Sequence, residues 1–282
     1  MEIIELCHSD VLAMLPDRDI HAHKGSFGRI LFLCGSIGYT GAAALSAMAA
    51  LRTGAGLVYL GVPESIYQIE ATKLLEPIVF PLPEEHGRFS RSAIDTLKNM
   101  VFNMDAVLVG PGMGISDGTF AITEWILNNA SCPVVLDADG INVLCDHKDI
   151  LRGRTYPTIL TPHTGEFNRF IGEVCTDKTE QTVKLAKDLG VIIAHKGNAT
   201  VVSDGERVYI NKTGNPGMAV GGSGDVLAGV ITALIGQGID PLNATAAGVW
   251  LHGAAGDICA REIGQYGMLP SDMLTALPRL LK

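Results

Sequence analysis

The strongest chemical signal in the sequence is a glycine-rich segment that ends in an acid. Gly221-Gly222-Ser223-Gly224-Asp225 stands directly before an apolar run with helical spacing, 226–235. Glycines expose backbone N–H groups and a helix N-terminus adds a positive dipole end, so the segment predicts an anion site. A carboxylate beside a bound phosphate is repulsive unless it acts, and Asp225 can deprotonate a hydroxyl that attacks phosphorus. The alternative is a plain helix N-cap by Ser223 or Asp225.

A second segment, Thr161-Pro162-His163-Thr164-Gly165-Glu166, follows an apolar run and places a histidine three residues before a glutamate. On a first helical turn both side chains would face one cleft. Glu166 can support Mg²⁺, which prefers few protein carboxylates together with phosphate oxygens. The alternative is a capped helix start, with Thr164 as the cap and Glu166 as a solvated acid.

Two further segments add polar groups after apolar runs. Lys196-Gly197-Asn198-Ala199-Thr200 can meet a phosphate through its lysine and hold a nucleotide with its backbone, or it can be an ordinary turn. Asp137-Ala138-Asp139 can position substrate or metal, or be a capped turn. The chain has neither a Walker A motif nor the glycine fingerprint of a Rossmann dehydrogenase, so neither of those nucleotide sites is predicted.

The elements that must position these residues alternate between strand and helix, which predicts an α/β fold with a mostly parallel sheet and helices on both faces. Predicted strands are Ile30–Cys34, Leu57–Gly61, Ala106–Gly110, Val134–Asp137, Thr158–Thr161 and Val191–Ala194, followed by a hairpin of Ala199–Val202 and Arg207–Tyr209. Predicted helices are Ala42–Thr53, Arg91–Val101, Gly118–Asn129, Lys178–Leu189, the run after Gly221, Ala244–Ile263 and Ser271–Leu281. Polar, glycine-rich loops follow most of these strands, which predicts one site at their carboxyl ends.

Composition excludes several classes of function. The chain has 282 residues, a net charge of −9 and 47% apolar residues, which argues for a large core and against nucleic-acid or electrostatic membrane binding. The six cysteines form no Cys-x-x-Cys pair, so no zinc or iron–sulfur site is predicted, and scattered thiols indicate a cytoplasmic location. No linker separates domains, so we expect one domain over 1–282 with an N-terminal extension over 1–22.

Taken together and in order, these motifs resemble those of the ribokinase-like superfamily, and more narrowly of the ADP- or ATP-dependent NAD(P)H-hydrate dehydratases. The resemblance covers about 23–281. It is carried by the segments 23–28, 41–57, 110–114, 137–142, 161–166, 196–200, 221–229 and 251–253.

The resemblance implies a repair reaction. Such enzymes phosphorylate the hydroxyl of the S-form of hydrated NADH or NADPH from ADP or ATP, after which phosphate leaves and the intact dinucleotide, AMP (or ADP) and phosphate remain. It implies Asp225 as the base, and Lys196, Gly197, Asn198, Ala199, Thr200, Gly222, Ser223 and Gly224 as nucleotide contacts. It also implies Ala42, Gly114, His163 and Asp225 as contacts of the hydrated dinucleotide, and Glu166 as the residue that supports Mg²⁺.

The sequence leaves other functions open. A ribokinase-like kinase of a vitamin-precursor alcohol would use the same anion site and aspartate, but would release a stable phosphorylated product. A non-catalytic nucleotide-binding module is the third possibility. Residues 1–22 are too few for the epimerase domain that some family members carry, so we expect the hydrate epimers to interconvert either through a separate epimerase as partner or by spontaneous exchange. We also expect a homo-oligomer and, for a stand-alone domain, a preference for ADP.

Overall fold

A ten-stranded, mostly parallel sheet forms the centre of the computed structural model, which describes residues 3–282. The strand order is β1-β12-β11-β10-β9-β8-β7-β2-β3-β4. The seven strands from β10 through β9, β8, β7, β2 and β3 to β4 are parallel to one another. Strand β11 is antiparallel to both of its neighbours, β10 and β12. The strands are β1 Ile3–Ile4, β2 Arg29–Leu33, β3 Leu57–Pro63, β4 Ile78–Leu82, β7 Ala106–Val109, β8 Val134–Leu136, β9 Thr158–Leu160, β10 Ile192–His195, β11 Thr200–Ser203 and β12 Val208–Asn211, and β5 Glu84–Glu85 and β6 Arg88–Phe89 form a separate hairpin.

Helices cover both faces of the sheet, because side chains of successive strand residues enter opposite layers. Ile30 and Phe32 of β2 belong to one core, and Leu31 and Leu33 to the other. The helices are α1 His8–Met14, α2 Thr40–Arg52, α3 Glu64–Lys73, α4 Ala93–Leu97, α5 Asp117–Asn129, α6 Asp139–Asn142, α7 Thr164–Ile171, α8 Lys178–Leu189, α9 Ser223–Gly236, α10 Pro241–Glu262 and α11 Pro270–Leu280. The expected fold class is confirmed.

Several predicted elements differ in extent. The helix predicted over Arg91–Val101 is wrong in length, since α4 ends at Leu97 and a 3₁₀ turn, Val101–Asn103, follows. The edge strand β4 and the helix α3 were not predicted. Of the N-terminal extension 1–22, residues 1 and 2 lie outside the described residues, and α1 docks on the C-terminal helices: the His8 ring stacks on Trp250.

The order of the strands determines where a ligand can bind. From β2 the chain runs outward through β3 and β4, then returns to β7 on the other side of β2 and continues outward to β10. The order therefore reverses between β2 and β7, and the crevice beyond the carboxyl ends at such a point is where open α/β sheets bind ligands. No helix within residues 3–282 is long and apolar enough to cross a bilayer.

Candidate functional site

The loops after β2 and β7 meet at this reversal point. The Gly35 N–H donates to the Pro111 carbonyl at 2.8 Å, and the Ser36 hydroxyl donates to the Gly112 carbonyl at 2.7 Å. Gly112 has φ +64°, and a Cβ there would lie 2.9 Å from that of Ala42, so only glycine lets the loop pack against the start of α2. The structure thus places Ala42 in the crevice.

Gly114 lies in the same crevice and is fixed from two sides. Its N–H donates to Asp139 Oδ2 at 2.8 Å, and its carbonyl accepts from the Thr119 hydroxyl at 2.7 Å. Asp139 begins α6, directly after β8. Gly114 and the second acid of the Asp137-Ala138-Asp139 segment therefore belong to one site, which brings together residues 25 positions apart.

The N-terminus of α9 is an open set of backbone donors. Gly222 is the N-cap at φ +102° and no side chain caps the helix. The first helical bond runs from Val226 N–H to the Gly222 carbonyl, and the N–H groups of Gly222, Gly224 and Asp225 find no acceptor among residues 3–282. The capping alternative is wrong, because Ser223 Oγ instead contacts His252 Nε2 at 3.3 Å. Unpartnered N–H groups at a helix start can hold an anion.

Lys196 brings a cation to these donors. Its Nζ lies 3.2 Å from where a Cβ on Gly224 would be, so the glycine leaves room for the close approach. The same Nζ donates to Asp137 Oδ1 at 2.7 Å and lies 4.0 Å from Glu166 Oε2. Burial works against the charge of Lys196, but Asp137 and Glu166 outweigh it and raise the pKa of the ammonium. Lys196 therefore stays positively charged beside the anion site.

Asp225 is half-buried, and its carboxylate makes no hydrogen bond within residues 3–282. Burial raises the pKa of Asp225 to about 6, the Asp137 carboxylate adds to the rise, and Lys196 opposes it. A carboxylate with a pKa near 6 is a stronger base than an ordinary aspartate and is still mostly ionised at neutral pH. Asp225 is therefore suited to accept a proton next to a bound phosphate.

The segment 161–166 caps α7, but by a different residue from the expected one. His163 is the N-cap: its Nδ1 accepts from Gly165 N–H at 2.9 Å, and Glu166 Oε2 accepts from His163 N–H at 2.8 Å. The alternative with Thr164 as cap and a solvated Glu166 is therefore wrong, because Glu166 is buried and lies near Lys196. The His163 side chain is exposed, and its Nε2 lies 3.6 Å from Glu166 Oε1.

The loop 197–200 is held in place by a lysine that lies outside every motif noted in the sequence. Lys178, the first residue of α8, donates to the Asn198 and Ala199 carbonyls at 3.2 and 3.1 Å. Ala199 has φ +52°, a costly conformation for a non-glycine residue. A lysine at a helix N-terminus opposes the helix dipole, and this is the sequence signal that marks Lys178 as serving another purpose.

The free carboxylate oxygens fit a magnesium ion bound together with a nucleotide. Asp137 Oδ1 is used by Thr161 and Lys196, whereas Oδ2 faces Gly224, 3.7 Å from where a Cβ would lie. Within residues 3–282 no three His, Cys, Asp or Glu side chains form a ready metal cage. Mg²⁺ suits such a sparse site, because it keeps waters and phosphate oxygens as ligands.

Comparisons with known proteins show which family and which curated proteins the chain is similar to. A family model described as NAD(P)H-hydrate dehydratase matches residues 30–279. The chain is 43% identical over 277 residues to the bifunctional NAD(P)H-hydrate repair enzyme Nnr of Moorella thermoacetica, covering 96% of this chain and 52% of that one. The chain thus spans about half the length of the curated relatives it matches.

Solved structures give the same result. The ADP/ATP-dependent NAD(P)H-hydrate dehydratase of Bacillus subtilis, co-crystallised with ATP/Mg²⁺, superimposes with a TM-score of 0.82 at 30% identity, covering 97% of this chain and 96% of that one. A ribokinase-like superfamily protein of Enterococcus faecalis has a TM-score of 0.85 at 26% identity, covering 99% and 95%. The hydroxyethylthiazole kinase of Pyrococcus horikoshii, at 21% identity and a TM-score of 0.63 over 89% of this chain and 88% of that one, shares the fold alone.

Proposed function

The chain belongs to the NAD(P)H-hydrate dehydratase family, and we propose that it restores the S-form of hydrated NADH or NADPH at the expense of ADP or ATP. The observation that carries the proposal is the environment of Asp225. Its unpaired carboxylate, with a pKa of about 6, stands in the first turn of a helix whose N–H groups are open to a phosphate. A base beside a phosphoryl site is what transfer to a hydroxyl needs.

The reaction has two steps. The ring hydroxyl of the hydrate gives its proton to Asp225 and its oxygen attacks the terminal phosphorus of the nucleotide, from which AMP (from ADP) or ADP (from ATP) leaves. The carbon–oxygen bond then breaks, with the ring nitrogen supplying the electron pair. Inorganic phosphate departs, and loss of a proton from the neighbouring carbon restores the dihydropyridine.

The residues divide between the two substrates. The N–H groups of Gly222, Gly224 and Asp225 would hold the transferring phosphoryl group, with Ser223 kept in place by His252. Burial lowers the pKa of His252 to about 4, so this contact is made by a neutral imidazole.

The remaining contacts follow the two ends of the site. Lys196 to Thr200 would contact the adenine nucleotide, and Ala42, Gly114 and His163 the hydrated dinucleotide. Mg²⁺ would lie near Glu166 and Asp137 and would neutralise phosphate charge.

One experiment separates this function from kinase activity on another alcohol. The protein is incubated with hydrated NADH or NADPH, Mg²⁺ and either ADP or ATP, and dihydropyridine absorbance is followed. The proposal expects restored absorbance with one equivalent of inorganic phosphate released per dinucleotide. A stable phosphorylated product without restored absorbance would instead indicate a kinase, and no turnover with either nucleotide would refute the proposal.

The relatives suggest further parts of the system. The curated relatives are described as bifunctional. We propose that an epimerase activity interconverts the two epimers of the hydrate and so supplies the S-form to this chain. We further propose a homo-oligomer and a cytoplasmic location. The six unpaired thiols within residues 3–282 support a reducing compartment.

A further inference from the structure

We propose that Arg88 binds a phosphate group of the hydrated dinucleotide. This inference rests on the proposed function and adds a recognition residue for its substrate. Arg88 lies on β6, in the short β5–β6 hairpin outside the main sheet. None of the segments singled out in the sequence contains it, and it is far from Asp225 in the chain.

The hairpin places Arg88 at the substrate crevice. The Ile37 N–H donates to the Gly87 carbonyl at 3.0 Å, which ties the hairpin to the loop after β2. The Arg88 side chain then lies across Gly114: its Nε is 2.5 Å, and its Cδ 2.9 Å, from where a Gly114 Cβ would be. A side chain at position 114 would displace the guanidinium, so this glycine keeps the arginine against the crevice.

The guanidinium is exposed and makes no hydrogen bond or ion pair within residues 3–282. Glu85 faces it across the hairpin, yet the pair forms no salt bridge within 4.0 Å. Glu84, the other acid of the hairpin, accepts a hydrogen bond from the Ser65 N–H at 3.0 Å. Lys73, which reaches Thr40 at the start of α2, is also bonded to Glu70. Arg88 therefore has unused donors at the edge of the site.

The charges of the site make such a cation useful. Asp137, Glu166 and Asp225 act on Lys196, and Asp139 acts on Asp225, so the inner part of the crevice is acidic. Asp139 acts on the charge of Asp225 and binds the Gly114 N–H, and the Arg88 side chain lies against Gly114, so a chain of neighbours leads from the acids to the guanidinium. A dinucleotide whose ring reaches Asp225 carries its phosphates away from these acids, where a free guanidinium can bind them through two parallel hydrogen bonds.

The crevice also offers an apolar surface for the rings of such a ligand. Ile37, Tyr39 and Ile115 are 61%, 62% and 63% exposed, and all three lie on the two loops that meet at the crevice. The backbone and Cβ of Tyr39 pack against Gly112. An exposed apolar surface beside an unpaired arginine fits a ligand with both flat rings and anionic groups.

Two phosphates of the substrate share this chemistry: the pyrophosphate, present in both dinucleotides, and the ribose 2′-phosphate, present only in NADPH. Binding of intact NADH and NADPH to the wild type, Arg88→Gln and Arg88→Lys is measured by calorimetric titration. Arg91→Gln is the matched control, because Arg91 is also an exposed arginine without an ion pair within residues 3–282, whereas the atoms nearest to a Gly114 Cβ all belong to Arg88.

We expect Arg88→Gln to weaken binding about tenfold, the loss typical of a charge-assisted hydrogen bond. Arg88→Lys should recover part of the affinity and Arg91→Gln should bind as the wild type does. Equal loss for both dinucleotides identifies the pyrophosphate, and loss confined to NADPH identifies the 2′-phosphate.

Unchanged binding of both dinucleotides to Arg88→Gln would overturn the proposal, as would an equal loss in Arg91→Gln or no binding to the wild type. The proposal rests on the proposed function for its substrate, but the two can fail separately. Binding needs no turnover, so a protein that binds NADPH through Arg88 and restores no hydrate would refute the reaction alone.

Discussion

The raised pKa of Asp225 predicts a specific loss of activity in mild acid. A base with a pKa of about 6 is about 90% ionised at pH 7 and about 9% ionised at pH 5, so kcat/KM should fall about tenfold between these values. An aspartate at its usual value near 4 would lose only about a tenth of its ionised form over the same range. The assay is recovery of dihydropyridine absorbance with both substrates below saturation, so that the free enzyme is reported.

The substrates also titrate in this range, since a phosphate monoester loses its second proton near pH ~6. Asp139→Asn separates the two sources. The amide oxygen can still accept from Gly114 N–H, while the negative charge that helps to raise the pKa of Asp225 is removed. The acid limb should therefore move to lower pH in the variant, whereas a limb caused by substrate stays in place. A flat profile from pH 7 to 5, or a limb that Asp139→Asn leaves unmoved, would refute the assignment.

Three further predictions follow from the same contacts. Asp225→Asn should raise the free energy of unfolding at pH 7–8 by on the order of 1–3 kcal/mol in urea titrations, because an ionised carboxylate with a raised pKa destabilises the fold above about pH 6. The gain in stability should vanish below about pH 4, where Asp225 of the wild type is protonated in both the folded and the unfolded state. Lys178→Met should raise the KM for nucleotide about tenfold with kcat retained, since the Asn198 and Ala199 carbonyls lose their donor, and Lys178→Arg should restore much of it in steady-state assays. Gly222→Ala should lower the melting temperature and weaken ADP binding, because φ is +102° and the new Cβ would lie 2.6 Å from Leu45 Cδ1; calorimetry with unchanged ADP affinity would contradict this.

The fold could be predicted wherever apolar residues run continuously. The strands buried on both faces gave clear signals, and α8 has the predicted bounds Lys178–Leu189. The strand β4 was not predicted, because it lies at the edge of the sheet, is partly exposed and contains Pro81, a residue that edge strands tolerate. The helix α3 was not predicted, because its residues are mostly polar and its apolar residues recur with only weak helical periodicity.

The candidate site could be predicted as a set of loops but not as a set of contacts. Strand ends on one edge of a parallel sheet explain why the glycine loops gather. The pairing of Lys196 with Asp137, 59 residues apart, follows only from the order β8-β9-β10. The cap of α7 depends on the ring orientation of His163, which no spacing determines. Arg88 reaches the site through a two-residue strand that carries no periodic signal.

In the reaction that we propose, the Asp225 carboxylate removes the proton while the backbone of α9 holds the phosphate. The most direct measurement is a single-turnover assay of Asp225→Asn with saturating hydrated NADPH and ADP, paired with calorimetric titration of ADP. We expect nucleotide still to bind within about threefold of the wild type and product formation to fall by at least ~10²-fold, the typical contribution of a positioned base. Product formation near the wild-type rate, with nucleotide bound, would contradict it.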